Sequence, residues 1–386
     1  MARKLRMGMV GGGIGAFIGD VHRKAARMDG RIELVAGAFS SDPAKSKESG
    51  KALNVDPARV YGTHAEMLAA EAKLPADKRI DFVTVVTPNH MHFAPVKAAL
   101  EAGFHVVCDK PLCYSMEEAL DLKKIHARSG KQFMLTHNYS GYPMVKQARH
   151  LVAGGELGKV MKVVVEFPQG WILALLGDVG LKINPWRMDP KVSGISNCMG
   201  DIGTHCHHLA EYITGLDVES LCADLTCFQG QPLDNDGNVL LRFKGGAKGV
   251  LHASQVSFGE ECGLNIRVYC EKGRVAWKQE NPNYLLVQKE NTPVMTYARK
   301  GGGYLCPAAD RVSRIPAGHP EAFIEAFANL YVNFADTLCA LEEGRKPTEL
   351  ESDFPGIEDG LKGLSFIRAV VDNGFNDAVK WTKLGA

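Results

Sequence analysis

The sequence predicts two domains: an α/β domain on a doubly wound parallel sheet, then an α+β domain on a large, mostly antiparallel open sheet. Three observations point there. Residues 1–136 alternate apolar runs with capped helical segments, the pattern of strands joined by crossover helices. A glycine-rich turn, Gly11-Gly12-Gly13-Ile14-Gly15, follows the first of those runs. From residue 137 onward strand signals succeed one another without helices between them, as antiparallel neighbours do. A chain of 386 residues also exceeds what one ordinary core organises. The division falls at 1–136 and 137–386, with the C-terminal helices free to pack back on the first domain.

In the first domain, strands run from Leu5 to Val10, Ile32 to Phe39, Phe82 to Thr87, His105 to Cys108 and Phe133 to Thr136. These are continuous apolar runs, as expected of strands buried on both faces. The helices between them carry readable ends. Asp42 precedes Pro43 as an N-cap before a first-turn proline. Thr63 with Glu66, and Ser115 with Glu118, have capping-box spacing. Gly103 and Gly130 stand where C-terminal caps belong.

In the second domain a helix from Met144 to Ala153 precedes a strand from Val160 to Phe167. Further strands begin at Leu221, Val239, Val250, Leu264, Val275 and Tyr284. Lys244-Gly245-Gly246 and Glu271-Lys272-Gly273 mark hairpins among them. Helical patterns from Glu321 to Glu343 and from Ile357 to Asp372 close the chain. The segment from Trp171 to Pro190 is irregular and apolar, a long connection of the kind that contributes to binding sites.

Composition narrows the function. Hydrophobic content is 45%, ordinary for a soluble globular protein. A net charge of +1 supplies no field to recruit nucleic acid or an anionic membrane. Met1-Ala2-Arg3-Lys4-Leu5 is basic and then apolar, but the run is short and dissolves into glycines, so it reads as a first strand rather than a leader peptide. No stretch reaches the ~20 apolar residues that span a bilayer. Ten cysteines without framework spacing read as free thiols in a reducing cytoplasm.

The glycine turn is the first chemical motif. Gly11 and Gly13 let the chain turn tightly, and a helix starting near Gly19 aims its free N–H groups at a pyrophosphate. Gly11, Gly13, Ile14, Gly15 and Ala16 are the expected contacts, with Ala16 where a strict G-x-G-x-x-G has its third glycine. The end of the second strand reads the adenosine ribose, and there Ser40 takes the place of an acid, followed by Ser41. Asp42 is committed to its helix cap. Lys45 and Lys47 lie near, yet no arginine is placed to clamp a 2′-phosphate, so NAD is the expected cofactor and NADP is left open. Thr87, Pro88, Asn89 and His92 follow the third strand at its carboxyl end, where such sheets bind ligands. A turn and helix start would use the same residues.

Asp109-Lys110-Pro111 ends another strand on that edge. Proline keeps Lys110 out of helical geometry and so can aim its ammonium at a ligand; a lone lysine is otherwise a solvated surface group. Asp201 and His205 are spaced i, i+4 and share a side if Asp201 opens a helix. A carboxylate beside an imidazole orients it and raises its basicity. Alcohol oxidation needs such a base, because the hydroxyl proton leaves as hydride departs. The alternative is an N-cap aspartate and a satisfied core histidine. In His205-Cys206-His207-His208 only the two outer residues share a face, and no further ligands stand at matched spacing, so no metal is expected.

Together these residues resemble the glucose–fructose oxidoreductase / inositol dehydrogenase (Gfo/Idh/MocA) family over nearly the whole chain. Asp109-Lys110-Pro111 is similar to its Glu-Lys-Pro signature with Asp for Glu, Asp201, Gly203 and His205 to its Asp-x-Gly-x-His signature, and Thr87, Pro88 and Asn89 to its Thr-Pro-Asn segment. The resemblance implies a Rossmann N-terminal domain, Lys110 bonded to the reacting hydroxyl and Asp109 beside the cofactor. It further implies His205 as acid/base and Asp201 orienting substrate or histidine. It also places Asn138, Tyr142, Trp186 and Arg187 on the substrate side, although Tyr142 has an alternative use in packing, and implies a homodimer or homotetramer formed through the open sheet. The expected activity is NAD(P)-dependent hydride transfer with a ring carbon of a cyclic polyol, sugar or sugar derivative. An NAD-dependent glycoside hydrolase working by transient sugar oxidation and a non-catalytic nicotinamide-binding sensor are the alternatives; a sensor has no need of Lys110, Asp201 and His205.

Overall fold

The computed structural model describes residues 3–172, 185–376 and 382–384. The chain forms two compact units, Met1–Gly141 with Phe323–Leu361, and Tyr142–Ala322 with Lys362–Ala386.

The first unit is built on five parallel strands: β1 (Leu5–Gly11), β2 (Ile32–Ala38), β3 (Phe82–Val86), β4 (His105–Cys108) and β5 (Phe133–Leu135). Their order is β2-β1-β3-β4-β5. The chain leaves β1 for β2 on one side and crosses to β3 on the other, so the sheet's switch point lies at the carboxyl ends of β1 and β3, where Gly11 pairs with Val86. All five residues of β3 are buried, as its unbroken apolar run requires. Helices α1 (Phe17–Arg27), α2 (Pro43–Ala52), α3 (His64–Glu71), α4 (Phe93–Glu101) and α5 (Met116–Ser129) connect the strands. Their caps follow the sequence reading, except that at Ser115 only one arm of the expected box forms and Glu118 Oε2 accepts from Tyr114 N instead. Asp42 accepts from Ala44 N and Lys45 N, Thr63 and Glu66 form the reciprocal box, Ser115 accepts from Glu118 N, and Gly130 ends α5 at φ +64°.

In the second unit α6 (Pro143–Ala153) comes first. Among the described residues nine strands follow: β6 (Val160–Pro168), β7 (Val218–Thr226), β8 (Asp236–Phe243), β9 (Lys248–Ser254), β10 (Asn265–Cys270), β11 (Gly273–Lys278), β12 (Tyr284–Lys289), β13 (Met295–Ala298) and β14 (Thr382–Lys383). They form one sheet in the order β13-β12-β11-β10-β6-β9-β8-β7-β14. Among the described residues of this sheet, only β6 and β9 pair in parallel. Both hairpins read from the sequence are present, β8–β9 around Gly245 and Gly246, and β10–β11 across Glu271 and Lys272. Along β8 buried and exposed residues alternate, which marks a sheet covered on one face. Helix α7 (Thr204–Thr214) belongs to this unit.

Two long helices lie between β13 and β14. Helix α8 (Phe323–Glu342) supplies Phe327, Leu330, Tyr331, Phe334 and Leu338 to the core that holds Leu5, Met7, Met9 and Phe82. Helix α9 (Ile357–Gly374) begins in the first unit and ends in the second. No described helix is long and apolar enough to cross a membrane.

Candidate active site

The glycine turn leaves β1 with Gly11, Gly12 and Gly15 at positive φ, a conformation a Cβ opposes. A Cβ on Gly12 would lie 2.7 Å from Val86 Cγ2 and 3.0 Å from Gly19 Cα. Gly19 thus provides the close helix–turn packing that the third glycine of a strict motif provides. Helix α1 starts two residues before the expected Gly19, and no side chain caps it; Ala16 is at the N-cap. Its first N–H groups fit an anion, and the exposed Gly15 and Ile14 lie beside them. The turn is braced from behind: Gly13 N donates to Phe39 O at 3.2 Å, Ile14 N donates to Ser49 Oγ at 3.1 Å, and the buried Arg23 guanidinium bonds Gly12 O. Nothing in the local sequence around Ser49 signals that contact.

At the end of β2, Ser40 Oγ accepts from Asp42 N at 3.1 Å, and Ser41 is exposed. The Asp42 carboxylate is spent on its helix, as expected. After β3, Thr87, Pro88 and Asn89 are half-buried. Thr87 Oγ1 donates to Met91 O at 3.1 Å. His92 is buried with Nε2 at 2.8 Å from Thr87 O and Nδ1 at 2.7 Å from Pro111 O, so it links the two loops that carry Asn89 and Lys110. Burial pushes this imidazole below its ordinary range, against the pull of Asp109 and the two carbonyls.

After β4, Asp109 N donates to Val85 O at 2.9 Å, and Lys110, half-buried, precedes a cis peptide to Pro111. Asp109 Oδ1 accepts from Thr136 Oγ1 at 2.8 Å and stands 3.6 Å from His22 Nε2. Burial alone would raise this carboxyl. His22, the Lys110 charge and the Thr136 hydroxyl outweigh it and hold Asp109 at about 2. After β5, Asn138 is buried in a short turn ending at Gly141, whose carbonyl accepts from Asn329 Nδ2 of α8 at 2.8 Å.

The second unit presents the other candidates. A single π turn, Met199–Gly203, leads into α7, so Asp201 lies in the opening turn and His205 one turn on. Such turns recur at functional sites. Asp234, fully buried, accepts from Asn197 N at 3.0 Å and Met199 N at 2.8 Å, and so fixes the start of that turn. Asp201 Oδ2 accepts from Gln255 Nε2 at 3.1 Å, with Arg187 Nε at 3.7 Å. His205 is buried, its ring 6.5 Å from that of Phe167. Tyr142 is buried against Trp277 at 5.1 Å between ring centres. The side chain of Trp186 lies outside the described residues. Neither Asp234 nor Gln255 belongs to a motif, and both are absent from the sequence-based set. Glu321, considered above as a helix start, is paired with the equally buried Arg299 at 2.6 Å.

His207 stacks on Phe366 at 4.4 Å and pairs with Glu211 at 3.4 Å, and burial holds the Cys206 thiol well above its ordinary range. Among the described residues no three His, Cys, Asp or Glu side chains are grouped to hold a metal ion.

Residues 5–137 match the family model of the oxidoreductase family with an NAD-binding Rossmann fold, and residues 145–276 match the GFO/IDH/MocA C-terminal domain. An uncharacterized oxidoreductase, YfiI of Bacillus subtilis, is 32% identical over 96% of this chain and 95% of its own length. The levoglucosan dehydrogenase of Pseudarthrobacter phenanthrenivorans is 26% identical over 74% of this chain and 76% of its own. An inositol dehydrogenase homolog from Azotobacter vinelandii, solved with NAD+, is 37% identical with a TM-score of 0.92 over 99% of this chain and 98% of that one. Its complex with NADH and myo-inositol gives 36% and 0.90 over the same shares. The chain belongs to the Gfo/Idh/MocA family of oxidoreductases, and its first unit is an NAD-binding Rossmann domain.

Proposed function

We propose that this oxidoreductase is a dehydrogenase of a cyclic polyol or sugar, in which Lys110, Asp201 and His205 act on one ring hydroxyl. The reading is carried by one observation in each unit: Lys110 stands next to a carboxylate kept ionised in the NAD-binding unit, and His205 stands one helical turn beyond an aspartate fixed by Gln255. The relative solved with NADH and myo-inositol supports the substrate class. NAD, when bound, supplies the hydride acceptor. Lys110 donates to the reacting oxygen and stabilises the negative charge that grows there as its proton leaves. His205 takes that proton, and Asp201 steadies the imidazolium. Asn138, Arg187 and Trp186 complete the substrate contacts, with Tyr142 beside them; Ser40, Ser41, Thr87 and Asn89 contact the nucleotide. His92 serves by holding its two loops. Leu240 and Leu286, exposed on the open face of the second unit's sheet, support self-association.

The test is a panel of inositols, aldoses and glycosides with NAD and with NADP, read by absorbance of the reduced nicotinamide. Net accumulation with a free polyol or sugar and NAD is the expected result. Aglycone release from a glycoside without net reduction would overturn it.

A further inference from the structure

We propose that Thr84, Tyr331 and His22 form a buried polar chain, hydrogen-bonded as far as His22 and closed on the Asp109 carboxylate by an ion-pair contact, that positions this carboxylate behind Lys110, making His22 and Tyr331 positioning residues of the oxidoreductase. The inference rests on the assignment of Lys110 to the reacting hydroxyl.

The chain runs through the core of the NAD-binding unit. Tyr331 Oη lies 3.3 Å from Thr84 Oγ1 and 2.8 Å from His22 Nδ1, and His22 Nε2 lies 3.6 Å from Asp109 Oδ1. Thr84 and His22 are fully buried and Tyr331 nearly so. Phe327 and Tyr331 of α8 each set an edge-to-face ring on His22, at 5.1 and 5.9 Å, and so fix the plane of the imidazole.

Chemistry assigns the protons. If Thr84 donates to Tyr331 and Tyr331 donates to Nδ1, the ring proton sits on Nε2 and faces the carboxylate. The opposite tautomer would turn a lone pair toward a negative charge. Every donor therefore points the same way and ends on Asp109, which Thr136 bonds from the other side. The last step, at 3.6 Å, is within ion-pair reach and longer than a full hydrogen bond.

Three polar side chains are a costly way to fill a core that three apolar ones would fill without desolvation. Their common end is the residue next to Lys110, which gives them a use beyond packing. The groups facing Asp109 are His22 from α1, Thr136 after β5, Tyr331 from α8, His92 at the start of α4, and its chain neighbours Cys108 and Lys110. His22 is held in turn by the Tyr331 hydroxyl of α8. Tyr331 lies outside both segments that match the family models.

The experiment compares the full-length wild type with Tyr331→Phe and His22→Gln. Thr84→Val stands in if either variant melts out. Asp109 is followed by carbon NMR of aspartate-labelled protein, its signal identified by its loss in Asp109→Asn. In the wild type it stays ionised at pH 4. In His22→Gln its midpoint rises above the ordinary carboxylate value of about 4, with a smaller rise in Tyr331→Phe. The acid limb of kcat for hydride transfer moves up in the same order, and kcat falls roughly ten- to hundredfold while the KM for NAD stays within about twofold. An unmoved Asp109 signal in both variants overturns the proposal. A shifted signal in a protein whose wild type reduces NAD with no polyol or sugar leaves the positioning chain standing and removes the dehydrogenase reading instead.

Discussion

Gln255 controls how Asp201 is presented. Its amide donates at 3.1 Å to the same oxygen that faces Arg187. Gln255→Leu removes a hydrogen bond to a charged group, worth about 1.5–3 kcal/mol, and frees the carboxylate to swing toward Arg187. We expect kcat to fall more than tenfold with NAD affinity unchanged by calorimetry; equal kcat would show that Asp201 needs no such anchor. Two other carboxyls bear on stability in acid. Asp109 and Glu211 are each half-buried, and the water they lose would alone raise them. Each is held instead at about 2, Asp109 by His22, Lys110 and Thr136, Glu211 by His207, Val218 N and Lys362. A carboxyl depressed in the folded state gives stability that is fully present above its unfolded value near 4 and is lost as pH falls from there toward 2, about 2–3 kcal/mol for each. Urea unfolding from pH 7 to pH 3 should show this loss, and Asp109→Asn or Glu211→Gln should flatten it. A slope unchanged in both variants would contradict the assignment.

At the scale of elements, the glycine turn and α1 stand or fall together. Gly19 faces the backbone of Gly12 with no room for a side chain. Gly19→Ala should push α1 from the turn, weaken NAD binding more than tenfold and cost about 1–3 kcal/mol by thermal melting. Unaltered affinity would mean that the helix start does not hold the pyrophosphate. The sequence announces this element through its glycines but not through Ser49, whose hydroxyl reaches Ile14 from the far end of α2. Strands differ in the same way. Phe82–Val86 is legible because a strand covered on both faces is apolar throughout. Met295–Ala298 at the sheet edge is short and mixed, pairing with a single neighbour, and Thr382–Lys383 is two residues long. Neither carries a pattern strong enough to read. The π turn before α7 owes its start to Asp234, a residue 33 positions beyond Asp201 that only the fold brings near.

For the molecule as a whole, the NAD-binding unit is completed by a helix from the other end of the chain. The helical pattern after Glu321 is plain in the sequence, and its return to the first domain is among the arrangements the sequence allows. Which of its faces meets which strand is not, since Tyr331 and His22 are joined only by the tertiary structure. Five large side chains of α8 enter the first unit's core. At about 1.5–3 kcal/mol each they supply roughly 10 kcal/mol, comparable to the whole stability of a typical domain. A fragment of residues 1–141 should therefore lack a cooperative thermal transition, and one that adds back 323–361 through a linker should recover it. Cooperative melting of 1–141 alone would show that α8 is dispensable.

The central chemical claim is that an ammonium from the NAD-binding unit and an imidazole from the sheet unit serve one hydroxyl. Single-turnover reduction of NAD by the best cyclic substrate, in wild type, Lys110→Ala and His205→Ala with NAD affinity measured alongside, tests it most directly. The account predicts a fall of roughly 10²–10⁴ in the hydride-transfer rate of each variant, with affinity for NAD nearly unchanged. Wild-type rates in either variant would contradict it.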